Sequence, residues 1–241
     1  MTHVTIFDHL FAIALLVLVP LEGSSGRRRL ERAVAPGGRG LRPEYRRIVL
    51  IEWAVAAIPL GIWMLNGRPL APLGISAPSG ARFFLAFAIA AALTALLARQ
   101  IAAVSRPEIA ARIRHAGQSV AYLIPRTDDE FRTFISVGIT AGIVEELVYR
   151  GFMLWYLSAF VPLWAATILS SLLFGLAHTY QGPKGIPRTA FVGLAFAWLY
   201  VLAGSLWIPM ALHALVDILQ VQMVYRANRS GDDTARAPAA A

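Results

Sequence analysis

The chain has 241 residues, of which 57% are hydrophobic and 15% are charged, and its mean hydropathy is +0.60. A disordered chain combines low hydrophobicity with high net charge, so this composition excludes disorder and favours a protein surrounded by lipid. The sequence has no cysteine, which excludes disulfides, thiolate metal sites and a cysteine nucleophile.

Six or seven apolar segments approach the roughly 20 residues that a helix needs to cross a hydrocarbon core. They lie at 4–21, 48–65, 83–104, 134–160, 163–177, 189–203 and 207–224. The fifth and sixth are short for a full crossing. The sequence therefore predicts an all-α, polytopic transmembrane helical bundle of about seven spans.

The basic residues are distributed unevenly among the segments that join these spans. Nineteen of the 22 Lys and Arg residues fall on one side if seven helices alternate, and only Arg68 and Arg82 fall on the other. Because Lys and Arg concentrate in cytoplasmic loops, this pattern predicts an N-terminus outside and a C-terminus in the cytoplasm. We therefore interpret the net charge of +8 as a topology signal, and we expect no nucleic-acid partner.

Three regions are expected along the chain. Residues 1–130 hold N-terminal membrane spans with basic cytoplasmic loops, residues 131–225 hold a core with ionisable side chains, and residues 226–241 form a disordered cytoplasmic tail. Between the third and fourth spans, apolar residues alternate with arginines from Arg106 to Tyr122. That pattern is typical of an amphipathic helix at the membrane surface.

The fourth span contains Glu145, Glu146 and Arg150 near its middle. Each such side chain costs about 2.5 to 3.5 kcal/mol at the centre of a membrane helix unless it faces protein or water. Glu146 and Arg150 are four residues apart and are expected to form a structural ion pair. Glu145 points about 100° away and stays available for chemistry. Gly138 and Gly142 form a Gly-x-x-x-Gly pair that permits close approach by a neighbouring helix.

Two later spans supply further polar residues. His178 ends the fifth span, and His213 and Asp217 lie four residues apart on the seventh. Such a set suits the activation of water, with Glu145 as general base, the histidines holding the water or stabilising an oxyanion, and Asp217 orienting an imidazole. Glu145, His178 and His213 also match a zinc site with an open fourth position. The residues leave both mechanisms open.

Three motifs follow in order on successive apolar segments and together resemble a known family. They are Glu145-Glu146-x-x-x-Arg150, Phe174-x-x-x-His178 and His213-x-x-x-Asp217. They resemble the motifs of the CPBP intramembrane proteases, which include the type II CAAX prenyl endopeptidases, over about residues 131–224. The resemblance implies that Glu145 activates water, that His178 and His213 complete the site, and that Phe174 packs beside it. The prenyl endopeptidases usually have asparagine where this chain has Asp217.

The resemblance implies an intramembrane endopeptidase, of glutamic or metallo type, in the cytoplasmic membrane of a bacterium. Its substrate would be a peptide or protein that enters from the membrane or the cytoplasmic face, and zinc would be the cofactor if a metal binds. Two other interpretations are a non-catalytic membrane scaffold or immunity factor and a proton-coupled transporter, since intramembrane acids and histidines also form proton relays. Internal repeats would favour a transporter, and the sequence shows none.

Overall fold

The computed structural model describes residues 3–77 and 79–236, with side chains up to residue 230. These residues are helical and contain no strand, which confirms the predicted all-α class. The α-helices are α1 (Ile6–Val34), α2 (Arg42–Leu65), α3 (Gly80–Ala103), α4 (Pro107–Gly117), α5 (Asp128–Glu146), α6 (Leu154–Ser158), α7 (Leu163–Ala177), α8 (Gly185–Ala203) and α9 (Trp207–Arg236). A π-helix, Leu147–Met153, joins α5 to α6, and the 3-10 turns are Ala71–Leu73, Gln118–Leu123 and Thr179–Gln181.

Five of these helices, namely α1, α2, α3, α8 and α9, are long and apolar enough to cross a membrane. The predicted fourth span lies on the continuous rod of α5, the π-helix and α6, which carries several charged residues. The predicted fifth span is α7, which has only 15 residues. The structure therefore describes a multi-pass membrane protein, while the count of seven spans stays a prediction.

The segments that carry most of the basic residues meet at one end of the bundle. Arg27 Nη1 and the Tyr122 hydroxyl both donate to the carbonyl oxygen of Tyr180, at 3.5 and 2.5 Å. Arg229 Nη1 pairs with Asp128 Oδ1 at 2.7 Å, which brings α9 to the start of α5. We call this the arginine-rich end. The side of the membrane that it faces stays a prediction.

A buried ion pair closes the opposite end. Arg68 donates from Nη1 to Asp8 Oδ1 at 2.9 Å and from Nη2 to Asp8 Oδ2 at 2.7 Å. The backbone N–H of Thr5 donates to the same carboxylate at 2.7 Å. The rings of Trp63 and Trp155 lie 5.2 and 4.8 Å from the guanidinium carbon of Arg68. The pair joins the start of α1 to the loop after α2.

The Gly-x-x-x-Gly pair lets α9 approach α5 closely. A Cβ atom on Gly142 would lie only 2.6 Å from the backbone nitrogen of Ala214, and one on Gly138 would lie 2.7 Å from Ile218 Cγ1. Atoms at such distances clash, so only glycine permits this packing at both positions. The contact holds the polar face of α9 against that of α5.

Two boundaries differ from those expected from the sequence. The first span was expected to end near residue 21, but α1 continues to Val34, and Arg27 Nε bonds Glu31 one turn ahead at 2.7 Å. The tail expected at 226–241 begins as helix, since α9 runs to Arg236, and residues 237–241 lie outside the described part. Helix propagates through these polar stretches because each added residue gains a backbone hydrogen bond. The expected amphipathic segment is α4 followed by a 3-10 turn.

Candidate active site

The π-helix Leu147–Met153 follows Glu146 directly and contains Arg150. The Arg150 side chain is buried, and its Nη1 donates to Glu146 Oε1 at 2.8 Å while its Nη2 donates to the Gly193 carbonyl at 3.0 Å. The ring of Phe174 covers the guanidinium carbon at 4.3 Å. Helices α5, α7 and α8 thus enclose this pair. Short π segments inside α-helices are common at functional sites.

Glu146 also fixes the orientation of His213 on α9. His213 Nδ1 donates to Glu146 Oε1 at 2.8 Å, and the same oxygen accepts from Arg150. An ionised carboxylate only accepts hydrogen bonds, so the hydrogen is assigned to Nδ1 and the neutral ring presents a lone pair at Nε2. We expected Asp217 to orient an imidazole, but Asp217 Oδ2 lies 3.7 Å from His213 Nε2, beyond hydrogen-bond length.

His178 caps the C-terminal end of α7. Its Nδ1 donates to the carbonyl oxygen of Phe174 at 2.8 Å, so its Nε2 is also a lone pair when the ring is neutral. The 15 residues of α7 place His178 about 22 Å below the start of that helix. Glu145 lies about 20 Å below Ser158, where the neighbouring rod ends. The two side chains therefore reach the same depth.

The structure brings the four residues of the expected site together. Glu145 Oε2 lies 3.8 Å from His178 Nε2 and 3.7 Å from His213 Nε2, and Asp217 is beside His213. Glu145 Oε2 is buried and has no hydrogen-bond partner. A carboxylate oxygen and two imidazole lone pairs thus face one another, at distances too long for direct hydrogen bonds. This arrangement suits a species that carries hydrogens or positive charge.

The donor set suits a metal chemically. The Nδ1 atoms of His178 and His213 are both held by oxygen acceptors, as is usual for histidines that bind metals through Nε2. Across residues 3–77 and 79–236, however, no three His, Asp or Glu side chains are arranged closely enough to hold an ion as they stand. Zinc therefore stays a hypothesis about Glu145, His178 and His213.

One further acid at the site was missed in the sequence. Glu52 lies on α2 in line with Ala56 and Trp63, which are fully buried, so it occupies the inward face of an apolar helix. Its Oε2 is buried without a hydrogen-bond partner, and its charge interacts with those of Glu145 and Asp217. The signal was an ionisable residue inside a span, which usually marks a functional position.

The motifs and the geometry agree with a match to a known family. Residues 128–219, from the start of α5 into α9, match the family model described as type II CAAX prenyl endopeptidase, Rce1-like. Comparisons with curated proteins and with solved structures gave no match. The resemblance inferred from the motifs is confirmed: this part of the chain is a Rce1-like domain. The protein is thus protease-type and multi-pass, with a peptide or protein as its substrate class. Helices α1 to α4 lie outside the match.

Proposed function

We propose that the protein is an intramembrane endopeptidase that hydrolyses a peptide bond near the membrane surface with water activated by Glu145. One observation supports this most. The buried and unpartnered Oε2 of Glu145 lies within 3.8 Å of the Nε2 atoms of His178 and His213, which come from two other helices.

The chemistry follows from these three acceptor atoms. A water molecule donates one hydrogen bond to Glu145 Oε2 and the other to the Nε2 lone pair of His178 or His213. Glu145 accepts a proton as the water oxygen attacks the carbonyl carbon of the substrate, which is general-base catalysis. Glu146 and Arg150 act one step further away, since they hold His213 in the orientation that turns Nε2 toward Glu145.

Zinc is the alternative for the same three side chains. Glu145, His178 and His213 would hold the ion, which when bound would lower the pKa of its water and polarise the substrate carbonyl. Metal analysis of the purified protein, together with hydrolysis measured before and after chelation, separates a glutamic from a metallo mechanism. Activity that survives complete removal of metal supports the glutamic mechanism.

The location and orientation are also part of the proposal. The excess of basic residues at the arginine-rich end favours a bacterial cytoplasmic membrane, with the N-terminus outside and this end in the cytoplasm. Reporter fusions after Arg47 and after Arg229 should both report the cytoplasm. Opposite locations for the two fusions would contradict the arrangement.

Hydrolysis is tested with the full-length protein in liposomes and a library of quenched fluorogenic peptides, each with and without a prenyl group. Glu145→Gln should lower turnover by about 10² to 10⁴-fold while the protein stays folded, and His178→Ala and His213→Ala should be similarly inactive. Asp129→Asn is the matched control, because Asp129 is an exposed acid on the same helix as Glu145. A wild-type protein that cleaves no peptide, or a fully active Glu145→Gln variant, would favour a scaffold or a transporter.

A further inference from the structure

Glu52 lies at the depth of the site because α2 and α5 run side by side in the same direction. At the arginine-rich end, the backbone N–H of Leu41 donates to Glu130 Oε1 at 2.7 Å. Farther along, Trp53 Nε1 donates to Thr140 Oγ1 at 3.3 Å. These two contacts fix the register of the two helices. Glu52 therefore stands at the level of Thr140 within the bundle.

Glu145 and Asp217 reach the same level from two other helices. Glu145 is five residues beyond Thr140, about 7.5 Å along the axis, and its side chain tilts back toward the start of α5. On α9, Ile218 packs on Gly138, which places Asp217 about one turn below Glu145. Three carboxyl groups from α2, α5 and α9 thus gather in one region, and their charges interact.

The neighbours of the three carboxyl groups differ. Glu145 has two imidazoles within 3.8 Å, and Asp217 has His213 at 3.7 Å. Glu52 Oε2 is buried and has neither a hydrogen bond nor an ion pair among the described residues. When buried carboxyl groups lie together, one of them retains its proton, because their negative charges repel. Glu52, with two acids and no cation beside it, is the group that retains it.

The histidines cannot supply that proton in their neutral form. The Nδ1 hydrogens of His178 and His213 are already donated to Phe174 and Glu146, so both rings present only lone pairs to Glu145. Amide hydrolysis, however, requires a proton on the leaving nitrogen as well as a base for the water. A protonated carboxyl beside the base provides both groups in one site.

We propose that Glu52 is the general acid of the site, and this rests on the proposed endopeptidase activity. Glu145 takes one proton from water as the hydroxide oxygen bonds to the substrate carbonyl carbon. Glu52 gives its proton to the amide nitrogen as the carbon–nitrogen bond breaks, which releases a carboxylic acid and an amine. Glu145 is then protonated and Glu52 ionised, and transfer of one proton from Glu145 to Glu52 restores the starting state. The reaction centre thereby includes a helix outside residues 128–219.

The test compares two leaving groups on one acyl sequence, taken from the peptide that the wild-type protein cleaves fastest. A p-nitroanilide needs a proton on its leaving nitrogen, whereas a p-nitrophenyl ester leaves as a stable anion. Glu52→Gln should lower anilide turnover by about 10²-fold or more and change ester turnover by less than about threefold. Glu44→Gln, on the same helix but paired with Arg29 at the arginine-rich end, is the control and should leave both rates unchanged.

The outcomes separate the two proposals. An equal loss on both substrates, or no loss on either, would show that Glu52 is not the acid. Glu145→Gln should abolish hydrolysis of both substrates; if it cleaves both at the wild-type rate, the proposed function fails independently of Glu52. If Glu52→Gln does not fold, Glu52→Asp provides the measurement, because its carboxyl is set back by one methylene. It should then reduce anilide turnover more than ester turnover, and an unchanged ratio would overturn the proposal.

Discussion

Two buried arginine–carboxylate pairs lie at different places in the bundle, and they are built differently. In the Asp8–Arg68 pair, two guanidinium nitrogens bond the two carboxylate oxygens, and Thr5 donates as well. In the Glu146–Arg150 pair, Glu146 Oε1 accepts from Arg150, and Glu146 Oε2 has no hydrogen-bond partner. The first pair is saturated by its own loop and helix ends.

The second pair has a further task, because Glu146 Oε1 also accepts from His213. Both arginine side chains are at most 4% exposed and both contact aromatic rings, so burial alone does not distinguish them. The distinction is the shared oxygen. We infer that the Asp8–Arg68 pair stabilises the fold, whereas the Glu146–Arg150 pair stabilises the fold and also positions a site residue.

The largest effect is expected for Arg150→Ala. Removing the guanidinium leaves Glu146 as an uncompensated buried charge, which costs on the order of 3 to 5 kcal/mol of stability. The loosened carboxylate should also release His213, so hydrolysis per folded molecule should fall. Unfolding and hydrolysis are measured on the same detergent-solubilised sample. A variant that folds and cleaves normally would show that the pairing has no such role.

Arg68→Ala should cost a similar 3 to 5 kcal/mol of stability, since it leaves Asp8 buried without its partner. The activity of the fraction that remains folded should equal that of the wild type, because the pair has no contact with the site. Active fraction and turnover are separated by normalising hydrolysis to the folded protein recovered after size-exclusion chromatography. A loss of turnover per folded molecule would erase the proposed difference between the pairs.

Glu146→Gln sharpens the comparison further. The amide is nearly the same size but carries no charge, so His213 should be held less firmly, and turnover should fall by about 10 to 100-fold, as for other groups that orient a site histidine. Asp8→Asn makes the matched change at the other pair and should leave turnover per folded molecule unaltered. Equal turnover in the two variants would contradict the positioning role of Glu146.

The smallest effect is expected for Asp217→Ala. Asp217 Oδ2 lies 3.7 Å from His213 Nε2 and its side chain is 37% exposed, so it neither orients the ring by a hydrogen bond nor leaves a dry cavity when removed. Turnover should fall by less than the roughly 10-fold lower limit expected for Glu146→Gln. A larger loss for Asp217→Ala than for Glu146→Gln would reverse the assignment of the orienting residue.

Part of this arrangement follows from sequence alone. The i,i+4 spacing of Glu146 and Arg150 is a local property of a helix, and the order of the three motifs indicated the family. The Asp8–Arg68 pair could not be found in this way, because its partners are 60 residues apart and each lies at the end of a different segment. The oxygen that Glu146 shares with His213 likewise depends on how two helices pack.

Glu52 shows a second limit that is specific to membrane proteins. In a soluble helix the apolar stripe marks the face that is buried. In α2 the lipid-facing residues are apolar too: Leu65 is 90% exposed, whereas Trp63, two positions away, is fully buried. Apolar periodicity therefore loses its contrast, and only the packing of α2 on α5 reveals that Glu52 points inward.

The π-helix at Leu147–Met153 has a consequence for chain length as well as for side chains. A π turn closes its hydrogen bond over one residue more than an α turn, so the segment shifts the phase of everything that follows it along the rod. Tyr156, whose hydroxyl bonds His9 Nδ1 at 2.7 Å, is in that shifted phase. Deleting a single codon here would let the backbone relax to a plain α-helix and rotate Tyr156 by about 100° relative to Glu146. In this stretch, losing one residue is therefore a more severe lesion than replacing one.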